Sequence, residues 1–408
     1  MKKYLIIADD FTGSNDTGVQ LANLGVDVNV QFSVASPHKG TIVLDTETRN
    51  SSTEEAADRL NSLLQKLDFK QYDEVIKKVD STLRGNISIE MRLLASYYHP
   101  DIIAFAPALP DQNRVVVRST LKVAGIRAMK TDFAKDPIKP IRTDDVQNLM
   151  EQAFPGEPLR HYSVSEIRDS EFHVENTRCV SFDSENNQDL IRIVHALRQT
   201  TKRILWVGSA GLTSALLMKD FSVAPALGLI GSVSEVTRKQ LHAAEQNGIR
   251  LVNIPIYEAY KQQTYAPYVD AATTALLAGQ DVILMSSASY DRSELDKTLT
   301  ALAKYNLSDE EINSLTQAVL SGICRKVLAK VKVSGLFVSG GETAKGFLRI
   351  GKAAGAKVIT ELASGVPLLE VQQGDFSGMR VVTKAGAFGN QDLINFAFKK
   401  IKSMNQCV

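Results

Sequence analysis

Residues 4–16 read YLIIADDFTGSND: an apolar run that stops at two adjacent acids, Asp9 and Asp10, and continues into Thr12, Gly13 and Ser14. A short apolar run bounded by turn residues is the mark of a buried strand. The same rhythm recurs at 26–32 (VDVNVQF), 41–45 (TIVLD), 74–79 (EVIKKV) and 101–106 (DIIAFA), with helical patterns between. The clearest of these spans 52–67, where Ser52 and Glu55 make a capping box and Ala56, Leu60, Leu63, Leu64 and Leu67 share one face. Strands interleaved with helices over a hundred residues imply right-handed crossovers and a mainly parallel sheet.

Beyond APALPDQNR the rhythm weakens, and 110–175, with Pro137, Pro140, Pro155 and Pro158, reads as an insertion or irregular region. Alternation resumes with CVSFD (179–183), a helix near 187–199 and RILWVG (203–208). A linker follows near 222, then a strand at LGLIGS, a helix from about Ser234, DVILMSS (281–287) and a long helix capped by Ser308 with Glu311. VSGLFVSGGETA (333–344) and RVVTKAGAFG (380–389) complete a second α/β pattern. The expected fold is therefore α/β with two domains, 1–222 and 223–408, each a mainly parallel sheet flanked by helices. A length of 408 residues agrees with two domains of ordinary size.

Composition removes several classes of function. Lys plus Arg (47) nearly cancels Asp plus Glu (46), so bulk charge marks neither a nucleic-acid binder nor a membrane-surface protein. Cys179, Cys324 and Cys407 show no CxxC or zinc-ligand spacing and read as reduced thiols of a cytoplasmic protein. The six histidines, at 38, 99, 161, 173, 195 and 242, form no HxxxH or HExxH pattern, so no metal site is expected. The opening apolar run is too short for a signal peptide, and no apolar segment reaches the ~20 residues of a membrane helix.

In an open parallel sheet, ligands bind outside the carboxyl ends of the strands. Those ends carry Asp9, Asp10, Thr12, Ser14 and Asp16 after the first strand, and Asp45, Glu47 and Arg49 after the third. After the fourth, KKVDSTLRGN supplies Lys78, Asp80, Ser81, Thr82, Arg84, Gly85 and Asn86. Each loop alone has a structural explanation, since Asp10 or Thr12 can cap the next helix and Arg84 can be a solvated charge. Together they suit a polyhydroxylated ligand bearing a carboxylate or phosphate, because carboxylates meet hydroxyls while Arg and Lys meet anions.

The second half offers different chemistry. Ser339, Gly340 and Gly341 lie between a strand and a helix expected to begin near Glu342 or Thr343, where backbone amides and the helix dipole favour an anion. KAGAFGNQD leaves its strand with Lys384, Gly386 and Gly389. Two such turns suggest a nucleotide cradle. No GxxxxGK[ST] occurs, the opening turn lacks GxGxxG, and DFTG has no HRD-type loop beside it, so P-loop, dinucleotide and protein-kinase readings lose support.

IADDFTGSNDTGVQLA, DTETR, KKVDSTLRGN, VSGGETA and TKAGAFG, in this order over essentially the whole chain, resemble the four-carbon acid sugar kinase family. GSNDTGVQLA is closer to its D-threonate kinase branch than to the 3-oxo-tetronate branch, where the stretch tends to read GATD. The resemblance implies an N-terminal sugar-acid domain holding its ligand through Asp10 (or Asp9), Arg49 and Lys78 to Gly85, including Asp80, Ser81, Thr82 and Arg84. It implies nucleotide contacts at Ser234, at Gly340, Gly341, Glu342 and Thr343, and at Gly386, Ala387, Phe388 and Gly389. Relatives often carry Gly-Arg where this chain has Asn113-Arg114, and a Ser-Gly-Asn form where it has KAGAFG. The second departure removes two polar side chains, leaving contact there mainly to backbone amides.

The reading that follows is ATP-dependent phosphorylation of the C4 hydroxyl of D-threonate or a close relative. Arg84, Arg49 and Lys78 would bind the substrate carboxylate or offset phosphate charge, and Asp10, with Asp9 as alternative, would orient the hydroxyl or accept its proton. Mg²⁺ would travel with ATP, with Glu342 as a candidate carboxylate. The active site is expected in the interdomain cleft, completed by closure. Small-molecule sugar acid and ATP are the expected partners, without nucleic acid or membrane; a homo-oligomer is compatible. The rivals are kinases of D-erythronate or a 3-oxo-tetronate, a nicotinamide-dependent hydroxy-acid dehydrogenase, and a sugar-acid sensor that consumes no ATP.

Overall fold

The computed structural model describes residues 2–34, 40–262, 264–303 and 305–403. His38 and Cys407 lie outside the described residues; Cys179 and Cys324 are buried free thiols. The chain divides after Ser222 into two compact units.

The first unit is built on eight parallel strands, in the order Val28–Gln31, Thr41–Asp45, Tyr4–Ala8, Glu74–Lys78, Ile204–Gly208, Ile102–Ala106, Cys179–Phe182 and Leu159–Tyr162. Helices cover both faces, which is why Tyr4–Ala8, Thr41–Asp45 and Glu74–Lys78 are buried at every position. Helix Phe11–Asn23 packs beside Ala210–Asp220, whereas Thr53–Leu64, Ile87–Tyr98 and Val146–Ala153 pack together as another group. Ser52 and Glu55 close the anticipated capping box, and Ala56, Leu60, Leu63 and Leu64 are buried. The strand register matters most for the site: Ala8 pairs with Asp45 on one side and Lys78 on the other, and Lys78 pairs with Gly208. Three polar loops therefore leave three adjacent strands at one level.

The segment expected to be irregular is ordered. Arg114–Val117, Thr120–Val123 and Ile126–Arg127 form a small antiparallel sheet, Val146–Ala153 is a helix, and Leu159–Tyr162 is the edge strand of the main sheet. LRHY carries only one fully buried side chain, so it lacks the apolar signal that marks its neighbours.

The second unit has seven strands, in the order Arg250–Ile254, Val282–Ser286, Leu227–Ile230, Leu336–Ser339, Arg380–Lys384, Val366–Gln372 and Gly355–Ala363. The first five are parallel; the last two pair antiparallel and form a ribbon that the sequence reading did not anticipate. The capping box of Ser308 with Glu311 starts helix Asp309–Leu328 as expected. Helix Gly341–Ile350 begins slightly earlier than expected, with Gly340 as its cap. Ile230 pairs with Ser339, and Ser339 with Lys384. Here too, three loops leave adjacent strands at one level. Among the described residues no helix is long and apolar enough to cross a membrane.

Candidate functional site

In the first unit the loops are tied together by Arg49. Its Nε and Nη2 donate to Asp9 Oδ2 and Oδ1 at 2.9 and 2.8 Å, while Nη2 and Nη1 donate to Asp10 Oδ1, at 2.8 Å, and Oδ2. Such fork-shaped, charge-assisted contacts fix both carboxylates against the guanidinium. The two acids differ in what remains accessible: the Asp9 side chain is fully buried, whereas that of Asp10 is 23% exposed. Asp10 also caps helix Phe11–Asn23, accepting from Gly13 N at 2.9 Å.

Gly85 completes this corner. Its φ of +102° disfavours any L side chain, and a Cβ there would stand 3.2 Å from Asp9 Oδ2 and 3.5 Å from Arg49 Cγ. Lys78 lies under the first helical turn, its ammonium donating to Val79 O at 3.0 Å. Burial lowers its pKa, against the opposing pull of Asp9 and its neighbouring acids.

Asp80 organises the third loop, accepting from Thr82 Oγ1 and from Arg84 Nε at 2.6 Å. Burial alone would raise its pKa, but the Arg84 hydrogen bond, the Arg49 charge and the Thr82 hydroxyl hold it at about 2. With the folded value below the ordinary 3.8, this stabilisation is present above about pH 4 and lost as pH falls toward 2. Asp80→Asn is expected to destabilise the protein by on the order of 2 kcal/mol near neutrality, and by much less near pH 2.5. Urea unfolding of both proteins at the two pH values checks this; an equal loss at both would contradict it.

Arg84 is more committed than the sequence suggests. Besides Asp80, it donates to Asp136 at 3.0 Å and lies 5.6 Å from the Phe133 ring centre, so two carboxylates already offset its charge. Arg114, quoted above only as part of a departure, is the less committed cation. Its Nη1 donates to Ser81 Oγ, its Nε is buried without a hydrogen-bond partner among the described residues, and it too lies 5.6 Å from Phe133. No carboxylate forms an ion pair with it among the described residues, and burial lowers its pKa despite the attraction of Asp80. The signal available in the sequence was position: Arg114 follows strand Ile102–Ala106, whose end is level with Gly208.

In the second unit, Ser234 caps helix Glu235–Gln246, accepting from Thr237 N at 3.2 Å and donating to Gly386 O at 2.5 Å. Lys384 Nζ donates to Gly386 O, Phe388 O and Thr237 Oγ1 at 3.0, 3.2 and 3.2 Å, and Gln240 reaches Phe388 O and Asn390 O. The carbonyls of KAGAFGN are thus drawn toward the helix. The Phe388 amide closes on Ala385 O, while those of Gly386, Ala387 and Gly389 have no backbone acceptor among the described residues.

The neighbouring turn is joined by Gly340 N, which donates to Lys384 O at 3.0 Å. Gly340 has φ +111°, and a Cβ there would stand 3.0 Å from Thr343 Oγ1. A Cβ on Gly341, by contrast, would meet nothing within 4 Å. Glu342 is exposed and paired with Lys345 at 2.8 Å. Amides, hydroxyls and a lysine with no ion-pairing acid among the described residues suit polyphosphate. Among the described residues no group of three or more His, Cys, Asp or Glu is placed to hold a metal ion.

The comparisons agree with this division of labour. A sugar-binding N-terminal domain matches residues 4–216, and a nucleotide-binding C-terminal domain matches 227–394. The chain belongs to the four-carbon acid sugar kinase family. It is 29% identical to a D-threonate kinase of Salmonella typhimurium, over 98% of this chain and 99% of the relative. It is 27% identical to a D-erythronate kinase of Heliobacterium modesticaldum, over 96% and 95% respectively. A crystal structure of a domain of unknown function from Bordetella bronchiseptica, with bound citrate and described as a domain-swapped dimer, shares the fold with a TM-score of 0.54 at 23% identity, covering 98% of each chain. The protein is accordingly a sugar-acid kinase of the D-threonate kinase-like type, and the dehydrogenase and sensor alternatives fall away.

Proposed function

We propose that this kinase transfers the γ-phosphoryl group of ATP to the C4 hydroxyl of D-threonate, giving 4-phospho-D-threonate. The observation that carries the reading is that two cation contacts, Arg49 with Asp10 and Arg114 with Ser81, share Asp80 as an electrostatic neighbour, and that Arg114 has no carboxylate partner among the described residues. A small acid with several hydroxyls supplies both missing complements: its carboxylate for Arg114 and its hydroxyls for Asp10 and the loop. D-threonate is favoured over other tetronates by the stretch GSNDTGVQLA and by the name of the Salmonella relative.

Phosphoryl transfer through a loose transition state asks chiefly for positioning and charge neutralisation. In this reading Asp10 accepts a hydrogen bond from the C4 hydroxyl and takes its proton as the bond from that oxygen to the γ-phosphorus forms and the bond from the γ-phosphorus to the bridging oxygen breaks, leaving ADP. Asp9, fully buried, holds Arg49 and through it the orientation of Asp10. Arg84 and Asp80 support the Ser81–Gly85 loop, and Lys78 underlies the first turn. The Gly340–Thr343 and Gly386–Gly389 turns receive the phosphates. Mg²⁺ supplies charge neutralisation on the phosphates and ordinarily takes only one or two protein carboxylates, for which Glu342 is the candidate. Direct transfer requires hydroxyl and γ-phosphorus to meet, so closure is part of the reading. A homo-oligomer is compatible with it.

Coupled measurement of ADP release over D-threonate, D-erythronate and 3-oxo-tetronates tests the substrate. The highest kcat/KM is expected with D-threonate; a clear preference for another member would replace it. Arg114→Ala is expected to raise KM for the acid about tenfold to a hundredfold, the range for lost charge-assisted bonds, with KM for ATP little changed. An unchanged acid KM would remove Arg114 from the binding role.

A further inference from the structure

Lys384 is only 3% exposed, yet no Asp or Glu among the described residues pairs with it. Its three donors are occupied by two carbonyls and a hydroxyl, which satisfies hydrogen bonding and leaves a full positive charge uncompensated. Neutral side chains already hold the same turn: Ser234 and Thr237 donate to Gly386 O, and Gln240 to Phe388 O. A fourth neutral donor would complete that task at lower desolvation cost, so the charge itself calls for an explanation.

The groups around the ammonium are uncharged. Ser232, Ser234, Thr237 and Gln240 come from the loop and helix on one side, and Ser339 stands in the adjoining strand beside Thr237. Glu235 and Arg238, in the first turn of that helix, are engaged with each other. The ammonium therefore lies directly beneath the two carbonyls whose inward orientation turns the amides of the residues that follow them, Ala387 and Gly389, the other way.

We propose that Lys384 is a positioning residue and fixed positive charge beneath the nucleotide turn, and that only its ammonium form shapes the turn to bind triphosphate. The inference rests on the assignment of ATP to this turn and adds a protonation requirement to it. Phosphate supplies the counter-charge that the protein withholds, so nucleotide binding favours the protonated lysine.

The sign follows from the unliganded state. Burial lowers the Lys384 pKa to about 8. Below that pH the site is already protonated; above it, nucleotide must bind together with a proton. Affinity for ATP should be maximal below about pH 8 and fall toward tenfold per unit above it, until the higher pKa of the complex is reached.

The test is calorimetric titration of the full-length protein with a non-hydrolysable ATP analogue and Mg²⁺, in buffers of differing protonation enthalpy. Proton uptake should be about 0.1 per nucleotide at pH 7, about 0.5 at pH 8 and about 0.9 at pH 9. Lys384→Met should bind at least about tenfold more weakly at pH 7 and show no uptake, a folded Lys384→Met with wild-type affinity overturning the proposal, and Lys384→Arg should keep binding while losing the pH dependence. If Lys384→Met fails to fold, the wild-type proton count decides. Tight binding at pH 9 without uptake would overturn the role of Lys384 and leave the nucleotide assignment standing. Uptake persisting in a folded Lys384→Met would assign it to another group and overturn the proposal as well. Failure of the wild-type protein to bind the analogue at pH 7 would overturn the nucleotide assignment and this inference with it.

Discussion

Asp10→Asn is expected to lower kcat by about 10² to 10⁴, the usual contribution of a positioned acid–base group, with ATP affinity changed less than about twofold. The substitution is discriminating because asparagine is as good a helix cap as aspartate, so Gly13 N keeps its acceptor and the first helical turn persists. What disappears is the second negative charge under Arg49 and the ability to accept the proton of the attacking hydroxyl. Asp9→Asn provides the contrast: its carboxylate is wholly buried and held on both oxygens by Arg49, so stability should suffer along with turnover. Single-turnover kinetics and unfolding curves on both variants separate these effects. Near-normal turnover in Asp10→Asn would eliminate the proposed proton acceptor.

Gly341→Val should weaken ATP binding at least about thirtyfold, roughly 2 kcal/mol of steric conflict with an incoming phosphate. The position is chosen by geometry. A Cβ at Gly341 meets no protein atom within 4 Å, so the side chain enters open space in the free enzyme and the fold should be preserved. Gly340, one residue earlier, would confuse the result because its φ of +111° strains any replacement. Equilibrium binding of ATP, with thermal unfolding as control, measures the outcome. Unaltered affinity in a stable Gly341→Val protein would make this turn purely structural.

Residues that follow strong apolar strands were readable from the sequence alone. Asp9 and Asp80 come within two residues of the end of such a run and Arg49 four residues after one, and parallel pairing brings the three loops to one level. The capping boxes at Ser52 and Ser308 were equally plain, because both partners lie within one helical turn. Long-range chemistry was not. The grip of Arg49 on two aspartates spans 40 and 39 residues, and local pattern contains no information about it. Arg114 sits in a hairpin of short strands inside a proline-spaced segment, where neither helical nor strand periodicity develops. Lys384 was visible as a residue, but its burial was not, since lysines are ordinarily solvated. The antiparallel ribbon was hidden by Pro367, which reads as a strand breaker but falls at the second position of Val366–Gln372.

The structure of the enzyme crystallised with D-threonate and a non-hydrolysable ATP analogue tests the central claim most directly. The account predicts the acid held by Asp10, Arg49 and Arg114, and the triphosphate held by the backbone of Gly340–Thr343 and Gly386–Gly389 above Lys384. Finding either molecule on other residues, with these loops empty, would contradict it.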